Sequence, residues 1–158
     1  MKEEKRFTHR QLEEAGVKWL AKWGYWWSCN HIAIEPASPG CRSETPDVIG
    51  FACGITHVIE CKTSRADFFR DLSKPWRTST SIFPMGTHRW WLCEEGVITF
   101  DDLSGSGDGL LWVMANGAVQ PIRYPTLRSD DERNISGELC ILYNLLNKEA
   151  ETEVTIYW

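Results

Sequence analysis

The chain has 158 residues, is 42% hydrophobic and 25% charged, and carries a formal net charge of −5. That length sets the expectation of one domain, 1–158, large enough to bury a core without disulfide or metal staples. No apolar run reaches spanning length and the start, Met1 to Arg6, is charged, so a cytoplasmic protein without a membrane span is expected. The acidic surplus disfavours a general nucleic-acid binder, which carries a basic footprint.

Thr8 with Gln11 forms a capping box. Leu12, Ala15, Trp19, Leu20 and Trp23 then recur at helical spacing until Gly24. On this first helix Glu13 falls at the border of the buried face, with His9 one turn before it, while Glu14 points nearly opposite. A solvated helix face accounts for both acids. Residues 25–35 alternate well enough for a strand, and the Pro-, Ser- and Gly-rich stretch 36–45 reads as a loop carrying Glu44.

Two short β-branched runs, 48–52 and 55–59, flank Cys53-Gly54 and read as a hairpin with a two-residue turn. Pairing Ala52 with Ile55 and counting outward brings Asp47 opposite Glu60. Glu60 and Lys62, two apart, share a face. One end of the hairpin thus gathers two carboxylates and an ammonium. Such oxygen ligands suit magnesium, and a lysine beside them suits the negative charge that develops in phosphodiester cleavage.

Residues 65–74 read as a helix that Pro75 stops, with Phe68, Phe69 and Leu72 as its apolar face and Asp67 as a helix-start charge or a partner for Arg65. Residues 89–93 read as a buried strand, 105–109 as a flexible loop, and 110–115 with 118–122 as a second hairpin around Asn116-Gly117. Residues 134–149 read as a closing helix carrying Leu139, Leu142, Leu145 and Leu146. The apolar tail 154–158 is expected at a sheet edge or a dimer contact. The order is α-β-β-β-α-β-β-β-α, an α/β fold.

Between Lys62 and Arg89 stand six basic residues (Lys62, Arg65, Arg70, Lys74, Arg77, Arg89) against Asp67 and Asp71. A local basic face beside an acidic site suits phosphate binding. The nine tryptophans read mostly as core, with Trp76 placed for either base stacking or packing. Six cysteines without a CxxC pair read as reduced thiols. A zinc site from Cys29, His31 and Cys41 fits no familiar spacing.

Pro46-Asp47 followed by Glu60-Cys61-Lys62 resembles the PD-(D/E)XK nuclease superfamily. The continuation from Cys61 to Asp71, with Lys74-Pro75-Trp76-Arg77 and the run from Arg89 to Gly96, is most similar to the MmcB-like DNA-repair nucleases and related small phage and bacterial proteins. The resemblance spans roughly residues 8–122. It implies a restriction-endonuclease-like αβββαβ core with a mixed central sheet flanked by helices, followed here by the extra hairpin and helix. It also implies a Mg2+- or Mn2+-dependent deoxyribonuclease. Asp47 and Glu60, with the Cys61 carbonyl, would hold the ion, and Lys62 would steady the attacking water or the phosphoryl oxygens. Arg65, Lys74 and Arg77 would hold the DNA backbone. Family members often add a first-helix acid, for which geometry favours Glu13 over Glu14. The Cys61 side chain points away from Glu60 and Lys62, which makes it a poor nucleophile. The rival expectation is a non-cleaving protein on the same fold, either a DNA-structure sensor or a phage-encoded module that binds a protein partner through its acidic surface. A monomer or a homodimer fits either case.

Overall fold

The computed structural model describes residues 7–22, 28–36, 44–74, 77 and 83–150. Expectations about Trp23, Gly24, Trp26, Trp27, Cys41, Pro75, Trp76 and the tail 154–158 fall outside them. The first helix, α1 (His9–Lys22), starts at the expected box: Thr8 Oγ1 accepts the Gln11 N–H at 3.2 Å, and Gln11 Oε1 accepts the Thr8 N–H at 2.8 Å. Next come β1 (His31–Ile34), β2 (Val48–Ala52), β3 (Ile55–Lys62) and α2 (Arg65–Leu72). They are followed by β4 (His88–Glu94), β5 (Gly109–Val113), β6 (Val119–Arg123) and α3 (Ile135–Ala150).

The six strands lie in sequence order in one mixed sheet. The β1–β2, β2–β3 and β5–β6 pairs are antiparallel, whereas β3–β4 and β4–β5 are parallel. Each parallel pair needs a crossover. Helix α2 lies within the first, and a short 3-10 turn, Asp101–Leu103, lies within the second. The α/β class and the mixed sheet flanked by helices are as expected.

Both faces of the sheet are covered, which explains why its central strands read as apolar runs. Successive residues split between the faces. Val48, Ile59, Cys61, Trp90, Leu92 and Leu111 pack with Leu12 and Leu20 of α1. Ile49 and Val58 pack with Met85 and Ile141 of α3, while Trp91, Cys93 and Leu110 pack with Phe68 of α2. Gly50 lets α1 approach: a Cβ there would sit 2.9 Å from Leu20 Cδ1 and 2.8 Å from Cys29 Sγ.

The first hairpin has the expected register, with Ala52 opposite Ile55 and Val48 opposite Ile59, and Gly54 turns at φ 74°. The second closes through three residues: the Gly117 N–H donates to the Met114 carbonyl, and the Met114 N–H to the Ala118 carbonyl. Two helix faces differ from expectation. On α2, Phe68 and Asp71 are buried while Phe69 and Leu72 are exposed. On α3, Ile141 and Glu138 face inward while Leu139 and Leu146 face solvent. Glu138 is drawn in because it accepts the Gly86 N–H at 2.8 Å and pairs with Arg133 at 2.7 Å.

At the end of β3 away from the acids, His57 is fully buried and its Nδ1 accepts the Trp90 indole N–H at 3.2 Å. Burial, with His88 beside it, pushes the His57 pKa down from 6.5 to about 3. The folded value lies below the unfolded one, so this contribution is complete above pH 6.5 and lost as pH falls toward 3. His57→Gln keeps an acceptor for Trp90 and removes the titration. Urea midpoints at neutral pH and about two units lower should show the wild type losing ~2 kcal/mol more than the variant. Parallel losses would mean that His57 does not drive acid sensitivity.

Candidate metal centre and cation cluster

Asp47 ends the loop that leads into β2, and its Oδ2 accepts the Cys61 N–H at 2.7 Å. The carboxylate is therefore fixed across the mouth of the hairpin. Its Oδ1 lies 3.4 Å from His9 Nε2, and the same imidazole nitrogen lies 3.4 Å from Glu13 Oε1. Glu35 completes the group: ligand atoms of His9, Glu13, Glu35 and Asp47 all fall within 4.8 Å of one another. Three elements build this corner, α1 by a one-turn spacing, β1 by the residue that follows it and β2 by the residue that precedes it.

Glu13 is 2% exposed, so the solvated-face expectation fails for it and holds for Glu14, which is exposed beside Arg10. Burial raises the Glu13 pKa; His9 opposes the shift, and Glu35 and Asp47 add to it. Asp47 is raised by burial as well, against the Cys61 N–H and His9. Glu35 was read only as the end of a strand. Its φ of 41°, unusual for a non-glycine residue, and its N–H bond to the Asp47 carbonyl turn the chain there. Periodicity carries no trace of such a turn; the acid before Pro36 was the only available sign.

Glu60 stands on the face expected, two before Lys62, but outside the group of four. It is 5% exposed, and Arg89 stands 3.8 Å from it. Burial pushes its pKa up to about 8, Arg89 opposes, and Asp47 and Glu44 add to the rise. Binding a divalent ion there requires the carboxyl to give up its proton, which couples affinity to pH. Glu44 neither approaches the metal corner nor faces solvent. It is buried, forks onto Arg89 at 2.6 and 2.9 Å, and accepts the Met85 N–H. Arg89 is therefore a core cation, not part of a DNA-facing surface. The Cys61 thiol is raised well above its ordinary value by burial, Asp47 and Glu60, which suits its rejection as a nucleophile.

Lys62 is 6% exposed, and its Nζ lies 3.4 Å from Asp71 Oδ2. Asp71, on the inner face of α2, also meets Lys74 Nζ at 2.5 Å and Arg77 Nη2 at 3.5 Å. Trp91 floors the cluster, with the Arg77 guanidinium 4.1 Å and Lys62 Nζ 5.7 Å from its ring centre. The Trp91 indole N–H donates to Asp108, which also holds Arg77 and Arg128 at 3.1 Å each. Asp71, Trp91, Asp108 and Arg128 escaped the sequence reading. In sequence Asp71 counts only as an acid among the basic residues, and Trp91 reads as core.

Lys74 and Arg77 thus join Lys62, and Arg65 does not. Arg65 forks onto Asp102 at 2.7 and 2.8 Å and stacks on Phe69. That pairing, with Thr99, holds the Asp102 carboxyl down at about 2. Asp67 partners Arg70 at 3.7 Å instead of Arg65, and Ser64 caps the helix by accepting the Asp67 N–H.

The donor set fits a divalent ion. Carboxylates suit magnesium and manganese, and an imidazole among them moves the preference from magnesium toward transition-series ions. Among the described residues, no helix is long and apolar enough to cross a membrane. Compared with known proteins, the chain matches no family profile and no curated protein. It is similar in fold to a solved structure, the SPO1766 protein of unknown function from Silicibacter pomeroyi. The TM-score is 0.58 at 19% identity, over 93% of this chain and 90% of that one. At that identity the likeness carries the fold alone.

Proposed function

We propose that this protein is a divalent-metal-dependent nuclease of the PD-(D/E)XK type that hydrolyses DNA phosphodiester bonds in DNA repair or in phage or bacterial DNA processing. What supports the assignment is the adjacency of two opposite charge clusters. Asp47, Glu13, Glu35 and His9 form one, and Lys62, Lys74 and Arg77 form the other, with Lys62 and Lys74 close enough to act on Asp47. Asp47, Glu13 and His9, with Glu60 and the Cys61 carbonyl, would hold Mg2+ or Mn2+. When bound, the ion supplies positive charge at the scissile phosphate and a more acidic water. Lys62 would place its ammonium against an incoming water or a phosphoryl oxygen. Lys74 and Arg77 orient the neighbouring phosphates. The acidic remainder of the chain keeps non-specific affinity low, which favours a particular DNA structure over long plain duplex.

The test is cleavage of single-stranded, duplex and branched DNA and of RNA, with Mg2+ and with Mn2+. Binding is measured separately in Ca2+, an ion expected to support binding without turnover. Metal-dependent cleavage is expected, stronger with Mn2+ because of His9. Lys74→Ala and Arg77→Ala should each reduce the slope of log affinity against log salt by about one unit or slightly less. If no nucleic acid binds at low salt in Ca2+, the nuclease assignment falls and a protein partner for the acidic surface takes its place.

A further inference from the structure

Three cations converge on one carboxylate that solvent barely reaches. Asp71 is 2% exposed, yet Lys62, Lys74 and Arg77 all lie within 3.5 Å of it. Burial works against the ionised form, and Lys74, Lys62 and Arg77 together hold its pKa below the ordinary value. A lone carboxylate offsets one of these charges, and Asp108 divides itself between Arg77 and Arg128. With Arg128 the cluster sets four cations against two carboxylates that touch it, Asp71 and Asp108, while Asp47 and Glu60 act on Lys62 and Lys74 from one side. Lys62 and Arg77 are buried, whereas the Lys74 side chain is 41% exposed, so the cluster meets solvent at Lys74, the side from which an anion reaches it.

Lys62, Asp71 and Trp91 come from three separate elements and are not interchangeable. Lys62 ends β3, next to Glu60 and the Cys61 N–H that fixes Asp47. Asp71 is carried by α2, whose Phe68, one turn earlier, packs edge-on against Trp91 at 4.9 Å. Trp91 pairs with Glu60 in the parallel register and sits beneath Arg77 and Lys62. The α2–Trp91 contact thus sets where Asp71 stands, and Asp71 sets where the Lys62 ammonium points. A lysine arm has four rotatable bonds, so an unclamped Lys62 would sample many positions.

We propose that Asp71 is the positioning residue for Lys62, and that Asp71 with Trp91 presents Lys62, Lys74 and Arg77 as one receiving site for the non-bridging oxygens of a nucleic-acid phosphate. The rate-positioning half rests on the nuclease assignment; the clamp and the anion site do not. Asp71 touches no substrate. Its charge opposes phosphate binding, while its geometry serves turnover. The two effects of removing it therefore carry opposite signs, which a merely structural residue would not produce.

Asp71→Asn keeps the shape and removes the charge. Four readouts apply to the full chain: oligonucleotide affinity in Ca2+, the single-turnover cleavage rate at saturating DNA, Mn2+ affinity, and the Lys62 ammonium resonance by NMR. Affinity is expected to stay level or tighten a few-fold. The saturated rate should fall about 100-fold, the loss expected of a reacting group displaced by an ångström. Mn2+ affinity should change less than about two-fold, since Asp71 is not among the carboxylates grouped around Asp47. The Lys62 resonance, slowed in exchange by its buried pair, should disappear. Asp71→Glu, which restores the charge on a longer arm, should recover part of the rate and return affinity to the wild-type value. It also carries the test if the Asn variant does not fold.

A saturated rate within about two-fold of wild type in Asp71→Asn would overturn the positioning role, as would a parallel loss of affinity and rate. A wild-type protein that binds Mn2+ but cleaves no nucleic acid would overturn the nuclease assignment instead. The Lys62 resonance and the affinity for an oligonucleotide or inorganic phosphate would then still decide whether Asp71 builds the clamp.

Discussion

Asp47→Ala is expected to abolish Mn2+ binding at the corner and all metal-dependent cleavage while the protein stays folded. Asp47 is the one carboxylate tied to both halves of the site, with Oδ1 toward His9 and Oδ2 on the Cys61 N–H. Removing it loses that N–H bond, worth about 1 kcal/mol net, and relieves the repulsion that raises Glu13 and Glu60. The two effects oppose, so stability without metal should stay within about 1 kcal/mol of wild type. Lys62→Ala is the contrasting case. An ammonium is no metal ligand, so cleavage should fall while Mn2+ affinity holds. Calorimetric titration of Mn2+ into both variants, beside their cleavage rates, separates the roles. Retained cleavage in Asp47→Ala, with the ion still bound, would remove this corner from consideration.

The first hairpin shows why part of the site was legible in the sequence. Its register follows from a period of two and from one glycine turn, so the positions of Asp47, Glu60 and Lys62 could be counted from Gly54. The capping box at Thr8 fixed the start of α1 equally locally, and with it the place of Glu13 relative to His9. What escaped depends on contacts between distant segments. Glu35 turns into the corner because β1 pairs with β2 and its N–H meets the Asp47 carbonyl. Asp71 is buried because β3 delivers Lys62 beneath it, and Glu44 because β4 delivers Arg89. An acid that will be neutralised by a cation far away in the chain looks, in sequence, like any solvated acid. The same blindness misassigned α3, where Glu138 is inside and Leu139 outside.

The largest stability effect is expected at Arg89. Its guanidinium is 2% exposed, forks onto Glu44 at 2.6 and 2.9 Å, donates to the Met85 carbonyl at 2.7 Å and stands 3.8 Å from Glu60. Burial opposes the charge, yet Glu44 and Glu60 raise its pKa above the ordinary arginine value. Arg89→Met fills much of the volume but leaves the buried Glu44 carboxylate without the guanidinium it forks with, a loss of roughly 3–5 kcal/mol. Arg89→Lys keeps a charge without the fork and should fall between the two. In the double variant Glu44→Gln, Arg89→Met, the uncompensated charge is gone, so part of the loss should return. Urea denaturation of the wild type, Glu44→Gln, Arg89→Met and the double variant gives the coupling. A drop below about 1 kcal/mol in Arg89→Met would show that the pair does not anchor the loop before Asp47. Arg89 is also the main group opposing the raised Glu60 pKa, so a folded Arg89→Met protein should bind Mn2+ more weakly at neutral pH and recover affinity as pH rises.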